Sequence, residues 1–270
     1  MSQATGRRKV TRITIGAEPI RRVDTLTSEE PLEIRVGRKP LAVTMRTPGD
    51  ELDLALGFLF TEGVITAPED VKTAILCAGD DDENTFNVVD VTLAGHVPPP
   101  EVGAERNFYT PSSCGVCGKA SIDAIRIRSQ YTLDGPAVSP AVLAELPERL
   151  RDSQRSFART GGLHAAGLFT ADGELVAARE DVGRHNAVDK LVGWALREGR
   201  LPLSGLVLML SGRAGFELVQ KAWMAGVGLV AAVSAPSTLA VDLAEEAGMT
   251  LVGFLRAPTM NVYSHPGRVA

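Results

Sequence analysis

The last third of the chain alternates two kinds of segment, and that alternation restricts the fold more than anything else in it. Residues 206–210, 228–233 and 249–255 are short, almost continuous apolar runs. They are too short for helices and are patterned like strands buried on both faces. Between them, residues 216–225 and the stretch from 238 to near Gly248 have helical spacing. Strand–helix–strand–helix–strand demands parallel strands, right-handed crossovers and helices laid on a sheet. Just upstream, 163–169 and 174–179 flank Ala171-Asp172-Gly173, a hairpin signal. Residues 186–197 put Val188, Leu191, Val192 and Ala195 on one helical face. Residues 180–185 read as a polar loop.

The first half is less regular. Residues 1–9 are polar and expected to be disordered, and 10–15 alternate like a short strand. Segments 30–36 and 41–45 read as strands joined by Gly37-Arg38-Lys39-Pro40. Residues 51–62 form an amphipathic helix with Leu52, Ala55, Leu56, Leu59 and Phe60 on one face, and Asp50 is its expected cap. Asp80-Asp81-Asp82-Glu83 is an acidic turn, 86–93 a strand, and 97–106, with three consecutive prolines, a linker. Lys119 opens a short helix to 128; 131–140 is loop. Residues 141–157 are helical with a kink expected at Pro147. The resulting division is a mixed α+β subdomain over 1–106, a cysteine loop and helix over 107–138, and an α/β domain over 139–270.

With 270 residues the chain can bury a core without staples. A net charge of −5 gives no cationic field for nucleic acid or an anionic membrane. No secretory apolar region follows Arg7, Arg8 and Lys9, and no apolar run is long enough to span a bilayer. Three cysteines make no disulfide scaffold, so a cytoplasmic location is expected.

Three groups can carry chemistry. The first is Ser112-Ser113-Cys114-Gly115-Val116-Cys117-Gly118-Lys119. Small neighbours leave sulfur accessible, a helix start lowers a thiol pKa, and Lys119 adds positive charge. That favours a nucleophilic or sulfur-carrying thiol. A zinc half-site completed by Cys77 and a histidine, a redox pair, and plain packing remain open. The second group is His164 with Glu180, Asp181, Arg184, His185 and Asn186, able to orient a histidine or hold a polar head. The third is the set of loops after the parallel strands: Ser211-Gly212-Arg213-Ala214-Gly215, Ser234-Ala235-Pro236-Ser237-Thr238 and Arg256-Ala257-Pro258-Thr259. Ligands of open α/β sheets bind at that edge. Helix-start amides suit phosphate, and Arg213 or Arg256 can pair with it. Neither standard nucleotide fingerprint is present.

Together these segments resemble one family, the formate dehydrogenase accessory sulfurtransferases, FdhD. The likeness runs through Arg46-Thr47-Pro48-Gly49-Asp50, Leu56-Gly57-Phe58-Leu59-Phe60-Thr61-Glu62-Gly63, the cysteine segment, Thr160-Gly161-Gly162-Leu163-His164, and Glu180 through Lys190. It implies an enzyme that takes persulfide sulfur from a cysteine desulfurase. The sulfur passes to the molybdenum cofactor, bis-molybdopterin guanine dinucleotide, for formate dehydrogenase. It implies a homodimer with a cytidine deaminase-like, three-layer C-terminal domain. It assigns the persulfide to Cys114, with Cys117 as exchange partner, and cofactor binding to Phe254, Leu255, Arg256, Ala257, Pro258 and Thr259. Ser211, Arg213 and Ser237 join them from the strand-end loops, and GDP is an expected mimic. No metal is expected. A non-catalytic cofactor chaperone is the alternative. Deamination is not expected, because Ala166 stands where His-x-Glu needs glutamate and Ser113 precedes Cys114 where proline is needed.

Overall fold

The computed structural model describes residues 3–77, 86–100, 108–109, 127 and 129–270. In chain order the strands are β1 Thr5–Arg12, β2 Ile20–Thr27, β3 Glu30–Val36 and β4 Lys39–Arg46, before helix α1 Glu51–Thr61. Then come β5 Val71–Cys77, β6 Val88–Leu93 and β7 Phe108–Tyr109, and helices α2 Pro140–Ser153 and α3 Arg155–Thr160. The remainder is β8 His164–Phe169, β9 Leu175–Asp181, α4 Arg184–Arg197, β10 Val207–Leu210, α5 Phe216–Met224, β11 Leu229–Ala232, α6 Thr238–Ala247, β12 Thr250–Arg256 and β13 Thr259–Ser264. Cys114, Cys117, the acidic run 80–83, residues 101–106 of the expected linker and, save Ile127, the helix expected over 119–128 lie outside the described residues.

The fold is mixed α/β. β10, β11 and β12 run parallel, as their alternation with helices requires. Antiparallel strands complete a six-stranded sheet in the order β13-β12-β11-β10-β8-β9. Its two faces are read off the strands residue by residue. Val207, Met209, Leu229, Ala231 and Val252 pack under Leu143, Leu146 and Leu150 of α2. Leu208, Leu210, Val230, Ala232 and Leu251 share the other core with α4, α5 and α6. That second core continues through α1 into Leu32, Ile34, Val89 and Val91 of the five-stranded sheet β5-β6-β3-β4-β7.

The junction is helix α1 against α4, where the backbones touch. A Cβ at Gly57 would overlap the Asp189 carbonyl, and one at Gly193 the Asp53 carbonyl. Only glycine permits that approach.

Several expectations are corrected. Within the stretch expected to be disordered, β1 begins at Thr5 and pairs in register with β2. Asp50 sits at the start of α1 with φ 57 and makes no side-chain cap; its carboxylate turns to Arg179 at 3.5 Å. Pro147 does not mark the break in the 141–157 helix. Helix α2 continues past Pro147 to Ser153, and the break falls at Gln154. There the Glu180 carboxylate accepts the Ser156 and Phe157 N–H groups and starts α3. The polar loop at 180–185 shrinks to Val182-Gly183, since β9 runs to Asp181 and α4 starts at Arg184.

Candidate functional site

The carboxyl ends of β10, β11 and β12 meet along one edge, and their loops are laced together by main chain. Ser234 N–H donates to Gly212 O, Ala214 N–H to Ala235 O, Ser237 N–H to Ala214 O and Phe254 N–H to Ser234 O, all within 3.1–3.3 Å. Gly253 lets β12 lie against this lattice, since a Cβ there would press on Pro236 and on the Ser234 carbonyl. The result is a shelf built from three loops.

The expected residues divide by what they still offer. Ser211 accepts the Ala165 N–H at 2.8 Å, leaving its own hydroxyl proton to donate. Ser237 accepts from Ala240 N–H at the start of α6. Arg213, Arg256, Ala257, Pro258 and Thr259 are exposed. Phe254 is 45% exposed and held at φ 49. Leu255 is fully buried in the α2-side core and offers only main chain. Arg256 and Thr259 pair across a tight turn between β12 and β13, so the segment 254–259 is a hairpin tip at the shelf's end.

Beside the shelf stands His164, first residue of β8, whose ring packs on Gly212. Burial first, then the charges of Arg184, His185 and Arg213, push its pKa below the usual 6.5, with Asp181 opposing. The imidazole is therefore neutral at pH 7, in a local field set by cations. His185 Nε2 lies 3.0 Å from Glu217 Oε2 in the first turn of α5. Nothing in the sequence reading singled out Glu217. The available signal was a carboxylate two residues into the helix that follows Ser-Gly-Arg-Ala-Gly.

The polar segment 180–190 proves largely structural. Asp181 is wholly buried and accepts from Thr47 N–H, Gly183 N–H and Asn186 Nδ2 at 2.8–3.1 Å. Lys190 Nζ pairs with Asp181 at 2.8 Å and donates to the Thr47 carbonyl at 2.9 Å. Asn186 donates to Met45 O, and Thr44 donates to Asn186 Oδ1. These bonds clasp the end of β4 to the start of α4. One turn along, Lys221 of α5 meets Asp189 at 2.9 Å and Thr61 at 2.8 Å, all buried. Burial raises the Asp189 pKa against the pull of Lys221. Burial also opposes the Lys221 charge, but Asp189 and Glu62 outweigh it and hold the ammonium above its ordinary value.

The described ends of the cysteine segment reach this neighbourhood. Tyr109 pairs with Val43, adjacent to Thr44 and so to the Asn186 contact. On the far side, Ile127 N–H donates to Gln220 Oε1, one turn of α5 beyond Glu217. Cys77, at the end of β5, is a free thiol. Among the described residues no His, Cys, Asp and Glu cluster is placed to hold a metal, and no helix is long and apolar enough to cross a membrane.

Residues 27–270 match the model of the FdhD/NarQ family. The chain belongs to that family. It is 61% identical to the sulfur carrier protein FdhD of Streptomyces coelicolor, over 100% of this chain and 97% of that one. It is 52% identical to the sulfur carrier protein FdhD of Mycobacterium tuberculosis over 100% of both. A crystal structure of a formate dehydrogenase accessory protein from Desulfotalea psychrophila shares the fold, with TM-score 0.78, 24% identity and coverage of 99% and 100%.

Proposed function

We propose that this chain is a sulfurtransferase that carries persulfide sulfur on Cys114 from a cysteine desulfurase to bis-molybdopterin guanine dinucleotide destined for formate dehydrogenase. The observation that carries the reading is the Cys114-Gly-Val-Cys117 pair in a chain alignable end to end with FdhD proteins named as sulfur carriers. In loading, the Cys114 thiolate attacks the outer sulfur of the donor persulfide. The donor S–S bond breaks, its cysteine leaves as thiolate, and the new S–S bond sits on Cys114 with no net redox change. In release, the Cys117 thiolate attacks the inner sulfur of that persulfide. The outer sulfur leaves at the sulfide level for the molybdenum, the cysteine pair supplies two electrons as it closes to a disulfide, and a dithiol reductant resets it.

The shelf suits the acceptor. The starts of α5 and α6 offer amides, Arg213 and Arg256 offer charge, and anionic phosphate favours both. The cations around His164 act in the same direction. GDP is then a minimal mimic of the acceptor's nucleotide end. The helix–sheet–helix layering over residues 139–270 supports a deaminase-like architecture for this part, and we take the working unit to be a cytoplasmic homodimer.

A second reading has its own support, because the laced shelf owes nothing to the cysteines: a non-catalytic chaperone that binds the cofactor and docks on the dehydrogenase. Complementation separates them. A strain lacking this chain should regain formate dehydrogenase activity with the wild type and fail with Cys114→Ala; full recovery by both Cys114→Ala and Cys117→Ala gives the chaperone reading the better case.

A further inference from the structure

The hairpin of β1 and β2 has no place in either core. None of its residues belongs to a hydrophobic cluster, and its two strands pair only with each other. Paired residues share a face, so Lys9 with Val23 and Thr11 with Arg21 lie on one side, Val10 with Arg22 and Arg12 with Ile20 on the other. Both sides are largely open to solvent. At the tip Ile13 is 75% exposed, Ile15 fully exposed and Ile20 57% exposed. The root is fixed by Thr27, whose hydroxyl bonds Thr160 of α3 at 2.9 Å. A two-stranded ribbon is marginal alone in water, and its open edges and apolar tip call for a partner. The FdhD/NarQ match begins at residue 27, where this arm ends.

Charge decides among partners. Between Thr5 and Thr27, six arginines and lysines (Arg7, Arg8, Lys9, Arg12, Arg21, Arg22) face Glu18 and Asp24, a net of +4; the whole chain carries −5, so the rest carries −9. One face of that remainder is both acidic and apolar. Glu145, Glu148 and Asp152 on α2 and Asp172 and Glu174 at the β8–β9 turn are exposed around Leu175, five carboxylates with Arg149 set among them and paired with Glu145. This face lies on the helix just before α3, where the arm is rooted. An arm of each copy laid on the other copy's α2 face makes the self-complementary contact a symmetric dimer requires.

We propose that the β1–β2 arm docks on a second copy of this chain, its basic shaft against the acidic α2 face and its isoleucine tip over Leu175. The arm is then an assembly element, independent of the sulfur chemistry. Sedimentation of the full chain and of a chain beginning at Ser28, with circular dichroism to confirm that the shortened body folds, tests this. The full chain should dimerise and the shortened one should stay monomeric. Raising salt from about 0.05 to 0.5 M should weaken the dimer markedly. Arg21→Glu with Arg22→Glu should weaken it about tenfold, and mixing that variant with Glu145→Lys/Glu148→Lys should recover association. A shortened chain that dimerises as tightly as the full one overturns the proposal. So does a monomeric full chain whose arm instead binds phosphatidylglycerol vesicles.

Discussion

His164 is a side chain whose chemistry its surroundings alter. It packs on Gly212 at the shelf, half-buried and ringed by Arg184, His185 and Arg213. Its midpoint in a proton NMR titration should fall below 6.5, and Arg213→Gln should move it upward; a midpoint at or above 6.5 in the wild type would contradict the described setting. The sign for stability follows. The unfolded chain takes up this proton at about 6.5, the folded chain only at lower pH. Stability is therefore intact above 6.5 and is lost as pH falls from there through the folded value. His164→Gln should flatten that part of the acid limb in pH-dependent denaturant melts. Arg256 makes a second residue-scale prediction. If its guanidinium grips a nucleotide phosphate at the hairpin tip, Arg256→Ala should weaken GDP binding by about 1.5–3 kcal/mol in calorimetry; unchanged affinity removes it from the site.

Among the elements, α4 carries most of the architecture. It touches α1 through Gly57 and Gly193, and Gly57→Ala should cost about 3 kcal/mol or more, because the overlap is with main chain that has no room to yield. It meets α5 through the buried Asp189–Lys221 pair. Lys221→Met alone should cost about 3–5 kcal/mol in chemical denaturation, and adding Asp189→Leu should recover part of that, since the first change strands a buried carboxylate. These contacts explain what the sequence could and could not disclose. The parallel strands, the 171–173 hairpin turn and α1, α4, α5 and α6 were legible, because each signals itself by local periodicity. Asp181 and Asn186 looked like candidates for chemistry because polar residues crowd there, and Lys190 was not one of them. Their partners Thr44, Met45 and Thr47 lie some 140 positions away in sequence, so no local pattern announces a clasp. β1 and β2 were misread or missed for the opposite reason: neither face of that hairpin is buried, and the one apolar alternation there, over 10–15, overruns the end of β1 at Arg12. β5 and β13, at sheet edges, were also missed.

At the scale of the molecule, one sheet edge gathers three loops, a neutral histidine and a His185–Glu217 pair, while the described residues nearest the cysteine segment, Tyr109 and Ile127, lie against β4 and α5. Under the proposed function, the shelf would hold the large anionic acceptor and the thiol would pass sulfur between donor and acceptor. The shelf residues were legible as strand-end loops; how tightly those loops are laced, and that Leu255 turns inward, came only with the fold. The central claim is that Cys114 holds the sulfur. Its most direct test is intact mass spectrometry after incubation with a cysteine desulfurase and cysteine, followed by removal of the donor. The wild type should gain the mass of one sulfur atom, removable by a dithiol, and Cys114→Ala should gain none. A wild type that gains no sulfur, or a Cys114→Ala variant that gains as much as the wild type, would contradict it.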